Sequence, residues 1–295
     1  MSASFLSAAA DRTSKTPRFT KARVAVIGCG GWAQGWHLPN LANRKDAQIV
    51  AVVDPSDHPG VGGCVPGLCE PMAALSAKYD ARWIKSLDEL IAAKDELDLH
   101  AVICAAPHGA HGVIGKAVLE AGLHLMMEKP MTADVGEARR LYDIAVAHSD
   151  QAFLLNNTAN WQPGSAAAAA AVSSGKLGEI RHVNCVFAAP LGWLFEGKDH
   201  GSWSQKAGSM LGNGFGWGQF SHTFAWVWRV TGLTPKVARA VTRPSPPICV
   251  RLRCRRASPP LAGVLQAVFA VSRASETTGA DLYDAMTITC AALVA

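Results

Sequence analysis

The chain has 295 residues, of which 49% are hydrophobic and 17% are charged, so it can bury a sizeable core and suits two domains better than one. Its net charge of +5 is modest and lies mainly in the first 23 residues and at 251–256, without interleaved aromatic residues, which argues against a nucleic-acid-binding protein. No apolar run approaches the ~20 residues of a membrane-spanning helix, so no membrane partner is expected.

The cysteines and the N-terminal residues bear on metal binding and location. None of the eight cysteines has the CxxC spacing that zinc sites favour, so we expect no metal site and reduced thiols in a cytoplasmic protein. Residues 1–22 contain Ser, Thr, Lys and Arg, a single acidic residue and no apolar run long enough for a secretory signal. We interpret them as a disordered leader, with an organellar transit peptide as the alternative.

Residues 23–155 alternate short apolar segments with helical ones, which predicts a doubly wound α/β domain built on a parallel sheet. The predicted strands lie at 23–28, 48–54, 81–85, 99–105, 124–127 and 152–155. The predicted helices lie at 31–43, 72–79, 87–93, 110–121 and 133–148. We expect Thr132 to cap the last of these helices, and the Gly- and Pro-rich residues 57–71 to form a surface loop.

A second domain is predicted at 156–295, because the pattern changes after Asn156. An Ala-rich helix is expected at 165–174, a strand at 181–187, a glycine-rich loop at 208–218 and an aromatic helix at 220–230. The Arg- and Pro-rich residues 244–260 resemble neither a strand nor a helix, and we interpret them as an insertion or an altered reading frame.

A glycine turn joins the first strand to the first helix. Gly28 permits the tight turn, Gly30 lets the backbone approach a pyrophosphate, and Ala33 is small enough for the helix to pack on the strand. The backbone of Gly31 and Trp32 would complete an anion site at the helix N-terminus. The position between strand and helix favours a dinucleotide site, and an ordinary turn after a buried strand is the alternative.

Asp54 ends the second strand, 26 positions after Gly28, which is near the spacing of the ribose-binding acid in such folds. A carboxylate there accepts hydrogen bonds from the ribose hydroxyls and repels a 2′-phosphate. The sequence therefore predicts NAD rather than NADP as cofactor, unless a basic residue from 57–71 reaches the same position.

With these residues in place, the chain resembles the Gfo/Idh/MocA family of oxidoreductases over residues 23–233. The resemblance rests on five motifs in order, which are the glycine turn, AAPHGAH at 105–111, EKP at 128–130, GKLGEI at 175–180 and the segment 222–232. It implies an NAD(P)-dependent oxidoreductase, a dehydrogenase that oxidises or reduces a hydroxyl or carbonyl carbon of a sugar, cyclitol or related polyol.

The resemblance also implies roles for residues at the ends of the fourth and fifth strands. Lys129 would hold or polarise the substrate hydroxyl, Glu128 would bind near the nicotinamide ribose, and Pro130 would fix the turn. Further residues would lie along the cofactor, namely Ala106, Pro107, His108 and His111.

His222 corresponds by resemblance to the catalytic histidine of the family and could take the proton from the substrate hydroxyl. Family members often have an aspartate four residues before it and another three residues after it, where this chain has Gly218 and Ala225. A core histidine bonded to a carbonyl is therefore the alternative. Three residues that precede the Ala-rich helix are candidate substrate contacts, namely Asn157, Asn160 and Trp161.

For residues 156–295 the resemblance implies an α+β domain with a mostly antiparallel sheet, and a homo-oligomer assembled through that sheet. The family's sheet continues past the residues present here, so we expect the domain to be truncated. Residues 279–285 resemble the family segment that leads into further strands, and we expect those strands to be missing. A non-catalytic dinucleotide-binding protein, acting as a sensor or scaffold, is the alternative to the enzyme.

Overall fold

The computed structural model describes residues 20–60, 69–188, 215–241, 249–255, 263–269 and 287–293. These residues form two compact units: the first contains 20–156 together with 215–218, and the second contains 157–188 and the described residues from Gln219 onward. Of the leader predicted at 1–22, residues 1–19 lie outside the described part of the chain. The first strand begins at Ala22.

The first unit is a six-stranded parallel sheet with strand order β3-β2-β1-β4-β5-β6. Its strands are β1 (Ala22–Ile27), β2 (Ala47–Val53), β3 (Arg82–Ile84), β4 (Ala101–Cys104), β5 (His124–Glu128) and β6 (Phe153–Asn156). Its helices are α1 (31–42), α2 (Met72–Tyr79), α3 (Leu87–Ala92), α4 (His111–Glu120) and α5 (Val135–Ala147). The predicted doubly wound α/β fold is confirmed, with every boundary within two residues of its prediction.

The sheet is buried on both faces, as a parallel sheet requires. Successive side chains of a strand point to opposite faces, and β1 divides its residues accordingly between two apolar clusters. Ala25 and Ile27 pack with residues of α3, α4 and α5, whereas Val24 and Val26 pack with residues of α1 and α2. Because both faces carry helices, the functional groups of this unit are confined to the ends of the strands.

The strand order reverses between β1 and β4, which are paired directly so that Ile27 lies beside Cys104. The connections after these two strands leave the sheet in opposite directions, and open α/β sheets bind ligands in the resulting crevice at the carboxyl ends of their strands. The glycine turn follows β1 at this crevice, and Glu128 is the last residue of β5.

The second unit contains a mixed five-stranded sheet with strand order β11-β7-β10-β9-β8, in which β7 and β10 are parallel and the other pairs are antiparallel. The strands are β7 (His182–Ala188), β8 (Thr234–Val241), β9 (Cys249–Arg255), β10 (Gly263–Phe269) and β11 (Thr287–Leu293). Its helices are α6 (Pro163–Ser173) and α7 (Phe215–Thr231). The predicted α+β class with a mostly antiparallel sheet is confirmed.

Four local predictions were wrong. The tract 244–260 contains strand β9, because Val250, Leu252 and Cys254 alternate with arginines in the two-residue period of a strand. The glycine-rich segment 208–218 is helical from Phe215, and its earlier residues lie outside the described part.

A strand, β11, also follows the segment that was expected to lead into none. At the start of α5 the cap is Asp134 rather than Thr132, since the Asp134 carboxylate accepts the Glu137 N–H at 2.9 Å.

Helix α4 offers a direct test of the core, because Leu119 is fully buried against the sheet whereas Val113 is 64% exposed. We expect Leu119→Ala to lower the free energy of unfolding by about 2–5 kcal/mol, through lost burial and a cavity. Val113→Ala should change it by less than about 0.5 kcal/mol. Urea denaturation measures both, and equal losses in the two variants would contradict this packing of α4.

Candidate functional site at the carboxyl edge of the parallel sheet

The glycine turn fits closely against the end of β4. Gly28 has a φ of +82°, and a Cβ at this position would lie 2.5 Å from the Cα of Ala106, so only glycine is accommodated. Gly30 differs, because a Cβ there would meet no protein atom within 4 Å. The turn therefore leaves open space over Gly30, which is the position where a pyrophosphate would need to approach the backbone.

Asp54 is tied to the glycine turn through its carboxylate. One oxygen, Oδ2, accepts the backbone N–H of Cys29 at 3.0 Å, and the other, Oδ1, accepts the N–H of Ser56 at 3.0 Å. A carboxylate has about four acceptor positions, so further hydrogen bonds remain available to a ligand. The structure thus brings Asp54 and the glycine turn together, as the sequence predicted, in an arrangement that fits a dinucleotide.

Helix α1 contains a π-helical segment, Ala33–His37, in which the N–H of Leu38 bonds to the carbonyl of Ala33. Trp32 precedes this wide turn and His37 ends it. The Trp32 indole Nε1 and the His37 Nε2 each lie 2.9 Å from the same atom, Oε1 of Glu128. The helix that follows the glycine turn is therefore bonded to the end of β5, across the crevice.

Glu128 is buried, at 6% exposure, and accepts a third side-chain hydrogen bond on Oε1 from Asn156 Nδ2 at 2.7 Å. Its other oxygen, Oε2, accepts the backbone N–H of Lys129 at 3.1 Å. Burial by itself raises the pKa of Glu128. The hydrogen bonds from His37, Asn156 and Trp32, with the charge of His37, outweigh burial and lower this pKa to about 2. The site thus holds a fixed negative charge.

Lys129 is also buried, at 9% exposure, and its peptide bond to Pro130 is cis. Burial disfavours the charged ammonium and lowers the pKa of Lys129 from 10.5 to about 8, although the negative charge of Glu128 opposes this change. A lysine in this state can exist as a neutral amine in a substantial fraction near pH 8, so it can exchange a proton with a bound hydroxyl group.

His111 lies beneath the turn that carries Lys129. Its ring is fully buried, with Nδ1 2.9 Å from the carbonyl oxygen of Pro130 and Nε2 2.9 Å from that of Ala106. The ring therefore links the turn after β5 to the end of β4. His108 is buried beside it, with ring centroids 5.5 Å apart. The cofactor contacts expected of His108 and His111 remain predictions.

The remaining predicted residues lie in the second unit. His222 is buried in α7, and Trp161 is exposed and lies under the guanidinium of Arg229, 5.0 Å from the ring centroid. The side-chain oxygens of Asn157 and Asn160 are buried and, within the described residues, accept no hydrogen bond. Two unused carboxamide acceptors could bind hydroxyl groups.

His37 is a residue of this site that the sequence did not reveal. Finding it requires knowledge of the π-helical turn and of the position of Glu128, and neither follows from residue spacing. Asn156 is a second residue of this site that the sequence did not reveal, and the structure bonds it to Glu128. In the described part of the chain, no group of three or more His, Cys, Asp or Glu side chains is placed to hold a metal ion.

The fold and the glycine turn define a dinucleotide-binding protein of the Rossmann class. Residues 22–155 match the family model GFO_IDH_MocA, described as "Oxidoreductase family, NAD-binding Rossmann fold". Over these residues the chain is similar to the Gfo/Idh/MocA oxidoreductase family, which confirms the resemblance drawn from the motifs in this part of the chain.

Individual proteins show the same relationship. The chain is 29% identical over 201 residues to an uncharacterized oxidoreductase of Schizosaccharomyces pombe, covering 68% of this chain and 49% of that one. It is 28% identical over 170 residues to a dTDP-3,4-didehydro-2,6-dideoxy-alpha-D-glucose 3-reductase of Saccharopolyspora spinosa, covering 57% of this chain and 46% of that one. The chain thus spans about half the length of these curated relatives.

Among solved structures, myo-inositol dehydrogenase from Lactobacillus casei, in complex with NAD(H) and myo-inositol, has a similar fold. Its TM-score is 0.70 at 17% identity, covering 93% of this chain and 72% of that chain. Within the part of our chain that the structure describes, no helix combines the length and the apolar character needed to cross a bilayer.

The lowered pKa of Lys129 predicts a pH-dependent stability. An unfolded lysine has a pKa near 10.4, so between about pH 8 and 10 the unfolded chain binds more protons at this residue and the folded state gains stability as pH rises. We expect a gain of about 2–3 kcal/mol across this window, attributable to Lys129. Chemical denaturation at a series of pH values measures it.

Lys129→Met should lack this gain, whereas Lys116→Met, at an exposed lysine paired with Glu120, should retain it. The same pH dependence in Lys129→Met and in the wild type would show that Lys129 is not desolvated in the folded protein.

Proposed function

We propose that this chain is an NAD-dependent dehydrogenase that oxidises or reduces a hydroxyl-bearing carbon of a sugar, cyclitol or related polyol. The observation that carries the proposal is Lys129, a buried lysine beside the fixed carboxylate of Glu128 at the end of β5. A lysine buried at the ligand-binding edge of a Rossmann sheet is placed for chemistry rather than for packing.

The first unit supplies the groups that would hold the dinucleotide. The open backbone at Gly30 would receive the pyrophosphate, and the remaining acceptor positions of Asp54 would bind the adenosine ribose hydroxyls and disfavour a 2′-phosphate. When bound, the nicotinamide supplies the acceptor or donor of a hydride. Preference for NAD over NADP rests on Asp54.

The protein's part in the reaction is to hold the substrate and move one proton. As the C–H bond of the alcohol breaks and its electron pair leaves with the hydride, the C=O bond forms and the hydroxyl proton must reach a base. Lys129 would polarise the hydroxyl oxygen, and His222 would accept the proton, as the resemblance implies. The second of these assignments rests on the resemblance alone.

A polyol substrate is supported by the second unit and by the relatives. The buried carboxamide oxygens of Asn157 and Asn160 are suited to accept hydrogen bonds from hydroxyl groups, and the exposed ring of Trp161 could stack on a sugar. The curated relative from Saccharopolyspora spinosa is named as acting on a deoxyglucose derivative. We also propose a homo-oligomer, by resemblance to the family.

A non-catalytic dinucleotide-binding protein is the second candidate function. It is favoured by Gly218 and Ala225, which replace the carboxylates that often accompany the histidine in this family. A protein of this kind would bind the dinucleotide as tightly as the enzyme but would give no turnover.

Titration with NADH and NADPH, followed by nicotinamide fluorescence, tests cofactor binding. We expect saturable binding with a preference for NADH, which Asp54→Ala relaxes toward NADPH. Gly30→Ala should weaken NADH binding about tenfold without loss of stability, because its methyl group meets no protein atom and would overpack only the ligand.

Two other glycines provide controls for this titration. A Cβ at Gly164, in the second unit, would also meet no protein atom within 4 Å, so Gly164→Ala should change neither NADH binding nor stability. Gly28→Ala should instead disrupt the turn itself, because its Cβ would clash with Ala106. If the folded wild-type protein binds neither nucleotide, the proposed function is ruled out.

Turnover with a panel of polyols tests the role of Lys129. Lys129→Met should reduce kcat at least about a thousandfold, because it removes the donor that would polarise the substrate oxygen. NADH affinity should stay within about threefold of the wild type, since the glycine turn and Asp54 are unchanged. Turnover that is unaffected by the substitution would rule out this mechanism, and NADH binding without turnover in the wild type would favour the non-catalytic alternative.

A further inference from the structure

The π-helical turn in α1 determines which side chains reach Glu128. In a regular α-helix, residues five positions apart project about 140° from one another, so Trp32 and His37 would point in different directions. The wider turn at Ala33–His37 brings them to one side, where both bond to Oε1 of Glu128 at 2.9 Å. Single π-helical turns within α-helices occur frequently at functional sites.

The third donor comes from a different element. Asn156, at the end of β6, bonds to the same oxygen at 2.7 Å, so the donors approach Oε1 from a helix and from the neighbouring strand. We call Trp32, His37 and Asn156 the Glu128 donor cluster. Three donors on one oxygen fix the position of the carboxylate and require it to be ionised.

The second carboxylate oxygen connects this cluster to Lys129. Oε2 accepts the backbone N–H of Lys129 at 3.1 Å, and both residues are buried, so their charges interact in a medium less polar than water. Any movement of the carboxylate therefore changes both the backbone contact and the electrostatic environment of Lys129.

We propose that His37 is a positioning residue for Lys129, acting with Trp32 and Asn156 to hold the Glu128 carboxylate ionised and in one orientation. This inference rests on the proposed function, because it assigns the cluster to the same reaction. His37 does not contact the reacting carbon in this account; it acts through Glu128.

Stability alone does not account for the cluster. Burying an ionised carboxylate is unfavourable, and replacing a buried polar network with apolar residues of similar volume is often neutral or stabilising. The crevice end of β5 is a ligand-binding edge, where a fixed charge beside a buried lysine has a chemical use. The location of the cluster therefore favours a role in positioning over a role in folding.

The cluster also predicts how activity depends on pH. The titratable groups around Glu128 are His37 on α1, Lys129 after β5, His111 on α4 and Cys104 at the end of β4. Burial raises the pKa of Glu128, and the hydrogen bond from His37 is one of the interactions that lower it. Without that donor we expect the pKa of Glu128 to rise from about 2. Activity should then be lost as pH falls through the higher pKa, at values where the wild type is still active.

The experiment compares His37→Leu, which removes the donor at similar volume, with His37→Gln, whose amide can still donate. Asn40→Ala is the matched control, because Asn40 is exposed on the same helix and bonds only to the Trp36 carbonyl among its described contacts. Each variant is assayed for thermal unfolding, NADH affinity, kcat with a polyol substrate and the pH profile of kcat.

A cofactor-independent measurement accompanies these assays, namely the chemical shift of the Trp32 indole N–H in a ¹H–¹⁵N spectrum, assigned with Trp32→Phe. We expect His37→Leu to move this signal, to reduce kcat about ten- to a hundredfold and to shift the acid limb of the pH profile upward. His37→Gln should restore kcat to within about fivefold of the wild type, since it keeps the hydrogen bond. Asn40→Ala should match the wild type throughout.

Other outcomes overturn the proposal in distinguishable ways. An indole signal and a kcat that are the same in His37→Leu as in Asn40→Ala would show that His37 does not position Glu128. Equal losses of stability, NADH affinity and kcat in both His37 variants would make the residue purely structural. If His37→Leu moves the indole signal but the wild type neither binds NADH nor turns over a polyol, the proposed function is ruled out. The cluster is then only a structural link between α1, β5 and β6.

Discussion

The carboxylate of Glu128 is the constraint on which the rest of the site depends. A buried negative charge is stable only when hydrogen bonds replace the water it has lost, and here three side-chain donors and one backbone N–H do so. Satisfying that charge ties α1 to β5 and β6 at the crevice. The same charge stands beside Lys129, whose own burial lowers its pKa, so the two residues form one electrostatic unit.

Much of the first unit could be predicted from the sequence because its signals are local. A glycine turn between strand and helix, the carboxylate of Asp54 and the alternation of apolar segments depend on neighbours along the chain, and the structure bears out the fold they predict. The Glu128 donor cluster could not be predicted, because its members come from distant parts of the chain. It also depends on a π-helical turn, for which residue spacing gives no signal.

In the second unit the prediction failed where composition outweighed pattern. Arginines and prolines at 244–260 suggested an irregular segment, although Val250, Leu252 and Cys254 already carried the two-residue period of β9. The helix that contains His222 began earlier than expected, within a stretch whose glycines suggested a loop. Long-range pairing decides such segments, since a strand that is weak in isolation becomes stable beside partners such as β8 and β10.

The most direct test of this account is a crystal structure of the chain with NADH bound. We expect the pyrophosphate over Gly30, a ribose hydroxyl on Asp54, and the nicotinamide ring within about 4 Å of the Lys129 side chain, as hydride transfer to a held substrate requires. We also expect Trp32, His37 and Asn156 to remain bonded to Glu128. A dinucleotide bound away from the glycine turn, or with its nicotinamide remote from Lys129, would contradict the account.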